Sequence, residues 1–180
     1  MKIRELRRAI GLALVWTLGL GASRCPAAQL RPLTPEDLAG RAEVVVQARV
    51  EAIETVKEAK GQVTRIELAV VEVWKGAVTN RLVLVQPGGI LGTRKVVVTG
   101  DADFALGEEL VLFAVRNGAG EWLTLELAQG KFQIERPAAG EALVRNLFFG
   151  GDRSPGGFRP KNQLPLTLSA LRERVREVTR

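Results

Sequence analysis

The stretch whose reading decides the fold is IELAVVEVWKG, Ile66 to Gly76. Ile66, Leu68 and Val70 alternate with Glu67 and Ala69, the spacing that turns one face of a β-strand inward. At Val71 the phase slips by one residue, so that Val71 and Val73 become the inward positions. One extra residue inside an otherwise clean strand marks a β-bulge, which bends the strand. A bent strand suits a sheet that wraps on itself. After the slip Trp74 falls on the outer face or at the rim, and Gly76 permits the turn that ends the strand.

The same alternation runs outward from this segment. Val44, Val46, Ala48, Val50 and Ala52 share one face, with Gln47, Arg49 and Glu51 on the other. Glu58 to Gln62 is a turn. Strands are expected at Arg81–Gln86 and Lys95–Thr99, separated by a Pro87-Gly88-Gly89 loop. Glu108–Arg116 is apolar on both faces, as a covered strand requires. After the Asn117–Gly120 turn, Glu121–Ala128 sets Leu123, Leu125 and Leu127 inward. Lys131–Arg136 does so with Phe132 and Ile134, and Ala142–Asn146 is a weaker last strand. About six to eight short strands with regular turns predict an all-β protein, an OB-like barrel or a sandwich.

Two helices flank the strands. In LTPEDLAGRAE, Thr34 is placed to cap, Pro35 takes the first helical position, and Asp37 follows three residues after the cap. In TLSALRERVREVTR, residues 167–180, Leu168, Leu171, Val175 and Val178 form an apolar stripe. So short a helix is marginal alone in water, so it is expected to dock on the barrel or on a partner. The organisation expected is a signal peptide over 1–27, a barrel domain over 28–147, a linker over 148–166 and a C-terminal helix over 167–180.

Charge narrows the partners. The formal net charge of +6 divides into +4 over residues 1–24, −2 over 25–146 and +4 over 147–180. The body therefore has no basic face for polyanions, and nucleic acid is not an expected partner. The chain has no histidine and no tyrosine, and beyond residue 25 its only serines are Ser154 and Ser169. A Ser–His–Asp triad and any histidine base or metal ligand are excluded. The single cysteine cannot build a zinc site or an internal disulfide. No cofactor motif is present, and no catalytic residue is assigned.

The segment MKIRELRRAIGLALVWTLGLGAS reads as a secretory signal: a basic start, an apolar run from Ala9 to Leu20, then small residues. Cleavage is expected after Ser23 or after Ala27, giving a secreted or periplasmic protein that leaves the membrane. The alternatives are an uncleaved anchor and lipidation at Cys25, which lacks a small residue before it because Arg24 stands there.

Four segments in order, AEVVVQARVEAI, IELAVVEVWKG, LVLVQPGG and FALGEELVLFAV, resemble the netrin-like domain, the OB-type barrel shared with tissue inhibitors of metalloproteinases. With the AQGKFQI strand at Ala128–Ile134, the layout is also similar to a group of uncharacterised secreted bacterial proteins. The resemblance covers residues 34–146 and implies a barrel. Inhibition in that family uses an N-terminal cysteine whose amine and carbonyl bind the protease zinc. Only Cys25 could take that role, after cleavage at Arg24, and the family's disulfides are missing here.

The candidate binding residues are Trp74 and Lys75, Trp122, and the pair Asp101 and Asp103. A tryptophan beside a lysine at a barrel rim suits a recognition hot spot, or else closes the barrel mouth. Trp122 is expected to face outward beneath the C-terminal helix. Asp101 and Asp103, near Glu108 and Glu109, are the densest carboxylate cluster; calcium takes about six to eight oxygens, and no full calcium loop is present. Pro87-Gly88-Gly89 and Gly92 would let a ligand approach backbone amides, without the lysine of a phosphate loop. The function expected is a non-enzymatic extracytoplasmic binding module, with a protein as the first choice of partner and another ligand as the second. The alternatives are a metalloprotease-inhibitor-like protein and a carboxylate-dependent hydrolase.

Overall fold

The computed structural model describes residues 32–59, 61–146, 148–149 and 166–180. The signal segment, Cys25 and most of the expected linker lie outside the described residues. Helix α1 (Pro35–Arg41) starts as its sequence requires: the Thr34 hydroxyl accepts from the Asp37 amide at 3.1 Å, and the Thr34 amide donates to the Asp37 carboxylate at 3.3 Å. This reciprocal box fixes the first turn, and Leu38 and Ala39 are fully buried behind it.

Ten strands follow: β1 (Val44–Glu58), β2 (Gly61–Lys75), β3 (Arg81–Pro87), β4 (Gly89–Leu91), β5 (Arg94–Val96), β6 (Glu109–Arg116), β7 (Trp122–Thr124), β8 (Lys131–Glu135), β9 (Leu143–Arg145) and β10 (Leu166–Thr167). Helix α2 (Leu168–Thr179) closes the described chain. Eight strands form one mixed sheet, and β4 with β5 forms a separate hairpin. Within the large sheet, β1 pairs with β2, β2 with β3, β3 in parallel with β7, β7 with β6, and β6 with β1. The pairings thus return to the strand where they began. From β6 the sheet also continues through β8 and β9 to β10.

Two apolar clusters explain the sequence pattern. The first lies between the helices and one side of the sheet, and holds Leu38, Val45, Val111, Phe113, Phe132, Leu171 and Val175. The second draws on Val44, Val46, Ala48, Val50, Ile66, Leu68, Leu82, Leu84, Leu110 and Leu112, with Trp122 packed against it. Strands β1 and β6 therefore send alternate residues to different cores, which is why the β6 sequence is apolar on both faces. Phe113 and Phe132 meet at 5.6 Å between ring centroids, in a tilted contact favoured by their quadrupoles.

The phase slip in β2 is present. Gln47 pairs with Glu72 while Ala48 pairs with Val70, which leaves Val71 without a partner. Further irregularities sit between Val45 and Val46 and between Val50 and Ala52. The expected facing after the slip is wrong, however. Val71 is 65% exposed and Val73 is 38% exposed. The bulge ejects Val71 to solvent. The helical side takes Glu72 and Trp74 instead, because Arg172 of α2 pairs with Glu72 and Trp74 packs on the first cluster.

The strand expected over Glu121–Ala128 also stops early. Leu125 still bonds β6, its amide donating to the Phe113 carbonyl at 2.9 Å. Glu126 and Leu127 then adopt left-handed backbone (φ 50° and 59°), and a 3-10 turn spans Leu127–Gly130. Strand β8 resumes on the same edge of β6, since Leu112 pairs with Val46 on one side and Lys131 on the other. The alternation of leucines runs past a local excursion that periodicity does not reveal. Leu127 is accordingly exposed, not inward.

Helix α2 docks through the middle of its stripe, with Leu171 and Val175 fully buried, Leu168 partly buried and Val178 42% exposed. Its start is capped by Thr167, whose hydroxyl accepts from the Ala170 amide at 3.2 Å. Truncating Leu171→Ala is expected to destabilise the protein by about 2–5 kcal/mol in chemical denaturation, whereas Val178→Ser stays within about 0.5 kcal/mol. Equal, small effects from both would mean that the helix does not share the core.

Candidate functional site

Lys75 has a structural post. Its ammonium donates to the carbonyls of Ala39 and Ala42, both at 2.6 Å, and lies 3.4 Å from that of Gly40. These carbonyls end α1, where a helix leaves acceptors unsatisfied and where a cation is favoured by the backbone dipole. Gly76 follows at φ 78°, and a methyl there would lie 2.4 Å from the Glu43 carbonyl oxygen. Trp74 donates its indole N–H to Glu72 at 3.1 Å and packs on the first cluster. The triplet fastens α1 and α2 to the end of β2.

Trp122 lies elsewhere than expected. It packs against the second cluster and not beneath α2, and the Arg116 guanidinium sits 4.4 Å from its ring centre. The tryptophan that meets the helical layer is Trp74.

Asp101 and Asp103 are placed together, in a cleft of about 720 Å³. One wall is the arm of β1 and β2. Thr55 and Thr64 face each other across it, their hydroxyls 2.9 Å apart, and the Thr64 hydroxyl donates to the Gly88 carbonyl at 2.8 Å. Gly89 (φ 124°) lies against both threonines; a methyl there would come within 2.1 Å of the Thr64 oxygen. That close approach lays β4 along the arm, so the Pro87-Gly88-Gly89 stretch is a packing device as well as a turn. Only a residue without a Cβ fits.

The opposite wall is the β4–β5 hairpin and the segment 97–104. Gln86 donates to the Ala102 carbonyl at 2.9 Å, and the Ala128 amide donates to the Gly100 carbonyl at 3.0 Å. Behind the loop, Lys131 reaches the Glu108 carboxylate at 2.6 Å, with side chains only 12% and 7% exposed. Lys131 also donates to the Asp103 carbonyl and lies 4.8 Å from the centre of the Phe104 ring, which lines the cleft. A buried pair of this kind holds its loop firmly, since removing one partner strands a charge.

Four aliphatic side chains lining the cleft face solvent: Ile53, Ile90, Val97 and Val98. Ile90 is 63% exposed and Val97 69%. Among them stands Asp101. One of its carboxylate oxygens is sealed from water with no hydrogen-bond partner among the described residues. Burial pushes this carboxyl above its ordinary value, and the nearby Gln86 amide offsets part of that rise. Among the described residues no three Cys, Asp or Glu side chains converge as a metal set, so Asp101 and Asp103 lack a third ligand.

Sequence reasoning found the two aspartates and missed the aliphatic wall. The available signal was Val96-Val97-Val98, a run of valines without alternation that no buried strand face accounts for. No protein-family model matches this chain, and no curated protein matches it either.

Two outcomes follow from this geometry. Lys75→Met is expected to cost about 1.5–3 kcal/mol in denaturant unfolding, the range for hydrogen bonds from a charged donor. Asp101→Asn acts in the opposite direction. Because folding raises this carboxyl's pKa, the native state is penalised once the pH exceeds the ordinary carboxylate value. The variant is therefore expected to be more stable than the parent at pH 7, with the gain lost as pH falls below the carboxylate range. Denaturation midpoints at pH 7 and pH 3 check both the sign and its disappearance.

Proposed function

We propose that this chain is a secreted or periplasmic binding module built on an OB-like barrel, whose ligand site is the cleft between the β1–β2 arm and the segment 87–104. The barrel reading rests on pairings that return from β6 to β1 around a cluster fed by every strand of the circuit. The extracytoplasmic placement rests on the signal-like sequence of residues 1–27.

The observation that carries the binding role is the solvent-facing aliphatic wall. Large apolar side chains gathered on one concavity, beside a carboxyl that costs stability, indicate a surface kept for binding. Between a protein and a small ligand as partner, the dimensions favour the latter. A cleft of about 720 Å³ lies within the roughly 300–1,000 Å³ typical of small-molecule sites. A stable protein partner needs about 800 Å² of matched surface on each side.

The double variant Ile90→Ser, Val97→Ser removes the wall without touching buried residues. An organic extract of envelope lipids and metabolites is expected to raise the melting temperature of the parent chain and leave the variant unmoved. At ligand concentrations near 100 times Kd the gain corresponds to about 2.7 kcal/mol. Equal shifts in both proteins, or none in either, would remove the cleft from this role.

A further inference from the structure

The chemistry of the cleft also constrains its ligand, given the reading that the cleft is the binding site. We propose that it takes an amphiphilic organic cation, an ammonium or amidinium group on an aliphatic or aryl body. The head lies toward Asp101 and the body against Ile53, Ile90, Val97 and Val98.

Three charged side chains line the cleft: Lys95, Asp101 and Asp103. Lys95 and Asp103 are exposed, so solvent and salt screen them. Asp101 differs. One oxygen is sealed, and no lysine or arginine among the described residues lies within ion-pair distance of the carboxylate. An ionised carboxyl offers about four acceptor positions, and a half-solvated one gains most from a donor that is itself charged. The threonine hydroxyls across the cleft do not supply that donor, because Thr64 is committed to Gly88 and paired with Thr55.

The rest of the lining sets the body of the ligand. Ile53, Ile90, Val97 and Val98 offer only hydrocarbon, and covering them releases water from apolar surface. An anion would have to approach the half-solvated Asp101 carboxylate, whose charge repels it. A hydrophilic cation would leave the aliphatic wall wet. A cation on an apolar stem satisfies both halves of the site.

Octylammonium, octanol and octanoate, titrated into the full chain and into Asp101→Asn while amide chemical shifts are followed, test this assignment. Octylammonium is expected to shift the resonances of Ile90, Val97 and Val98 saturably, and Asp101→Asn to weaken it about 10- to 100-fold while octanol binds both proteins alike. Equal affinities for octylammonium and octanol in both proteins would sink the cation assignment and leave the apolar site standing. Preference for octanoate would overturn it in favour of Lys95. A lysine-containing apolar peptide that binds more tightly than octylammonium would overturn it in favour of a protein segment. If none of the probes moves the cleft resonances, both the cation assignment and the binding site itself fall.

Discussion

Strand β6 and the first half of β1 are paired along both edges, and Leu110–Ala114 and Val44–Val46 within them are buried on both faces; the two cores are organised around this pair. Val44, Val46, Ala48 and Val50 meet Leu110, Leu112 and Ala114 in one core, while Val45, Val111 and Phe113 serve the other. An extended segment can do this only if both alternating sets are aliphatic or aromatic, and only if two different layers wait to receive them. Two neighbours occupy successive stretches of the free edge of β6, first β7 and then β8. The helices add a lid that is latched at one point by Lys75 and at another by Arg172 on Glu72.

The cleft exists because β1 and β2 outrun this scaffold. Pairing of β1 with β6 ends at Arg49, while pairing with β2 continues to Glu58. The projecting arm gives the β4–β5 hairpin a surface to lie on, through the contact of Gly89 with Thr55 and Thr64. The connection from β3 to β6 then has to return past the arm, and Gln86, Ala128 and the Lys131–Glu108 pair tie it down on the way. The aliphatic side chains left facing that gap stay exposed among the described residues.

Where periodicity spans a whole element, the fold could be read from the sequence: the inward face of β1, the double apolar face of β6, both helices, the first with its cap, and the slip in β2. Reading fails where the answer depends on neighbours distant in the chain. Nothing within Val71–Trp74 says that Arg172 and the first cluster will claim the helical side. Nothing in the run of leucines from Leu123 to Leu127 betrays the left-handed pair at Glu126 and Leu127. The aspartates of the cleft were visible as a dense acidic stretch. Their aliphatic surroundings were missed, because Ile53, Ile90 and Val97 come from three separate segments and only the unalternating run Val96–Val98 pointed to unburied apolar surface.

The two ends of β1 have different lives. Near Val46 the strand is held by neighbours on each side and by packing above and below, so its amides are released only when the whole protein opens. Near Thr55 its backbone pairs with β2 alone, with only the β4–β5 hairpin lying against it, so a smaller opening suffices to free it. One continuous strand thus grades from rigid spine to compliant wall. The end of β1 with fewer pairings is also the one that borders the cleft, through Ile53 and Thr55.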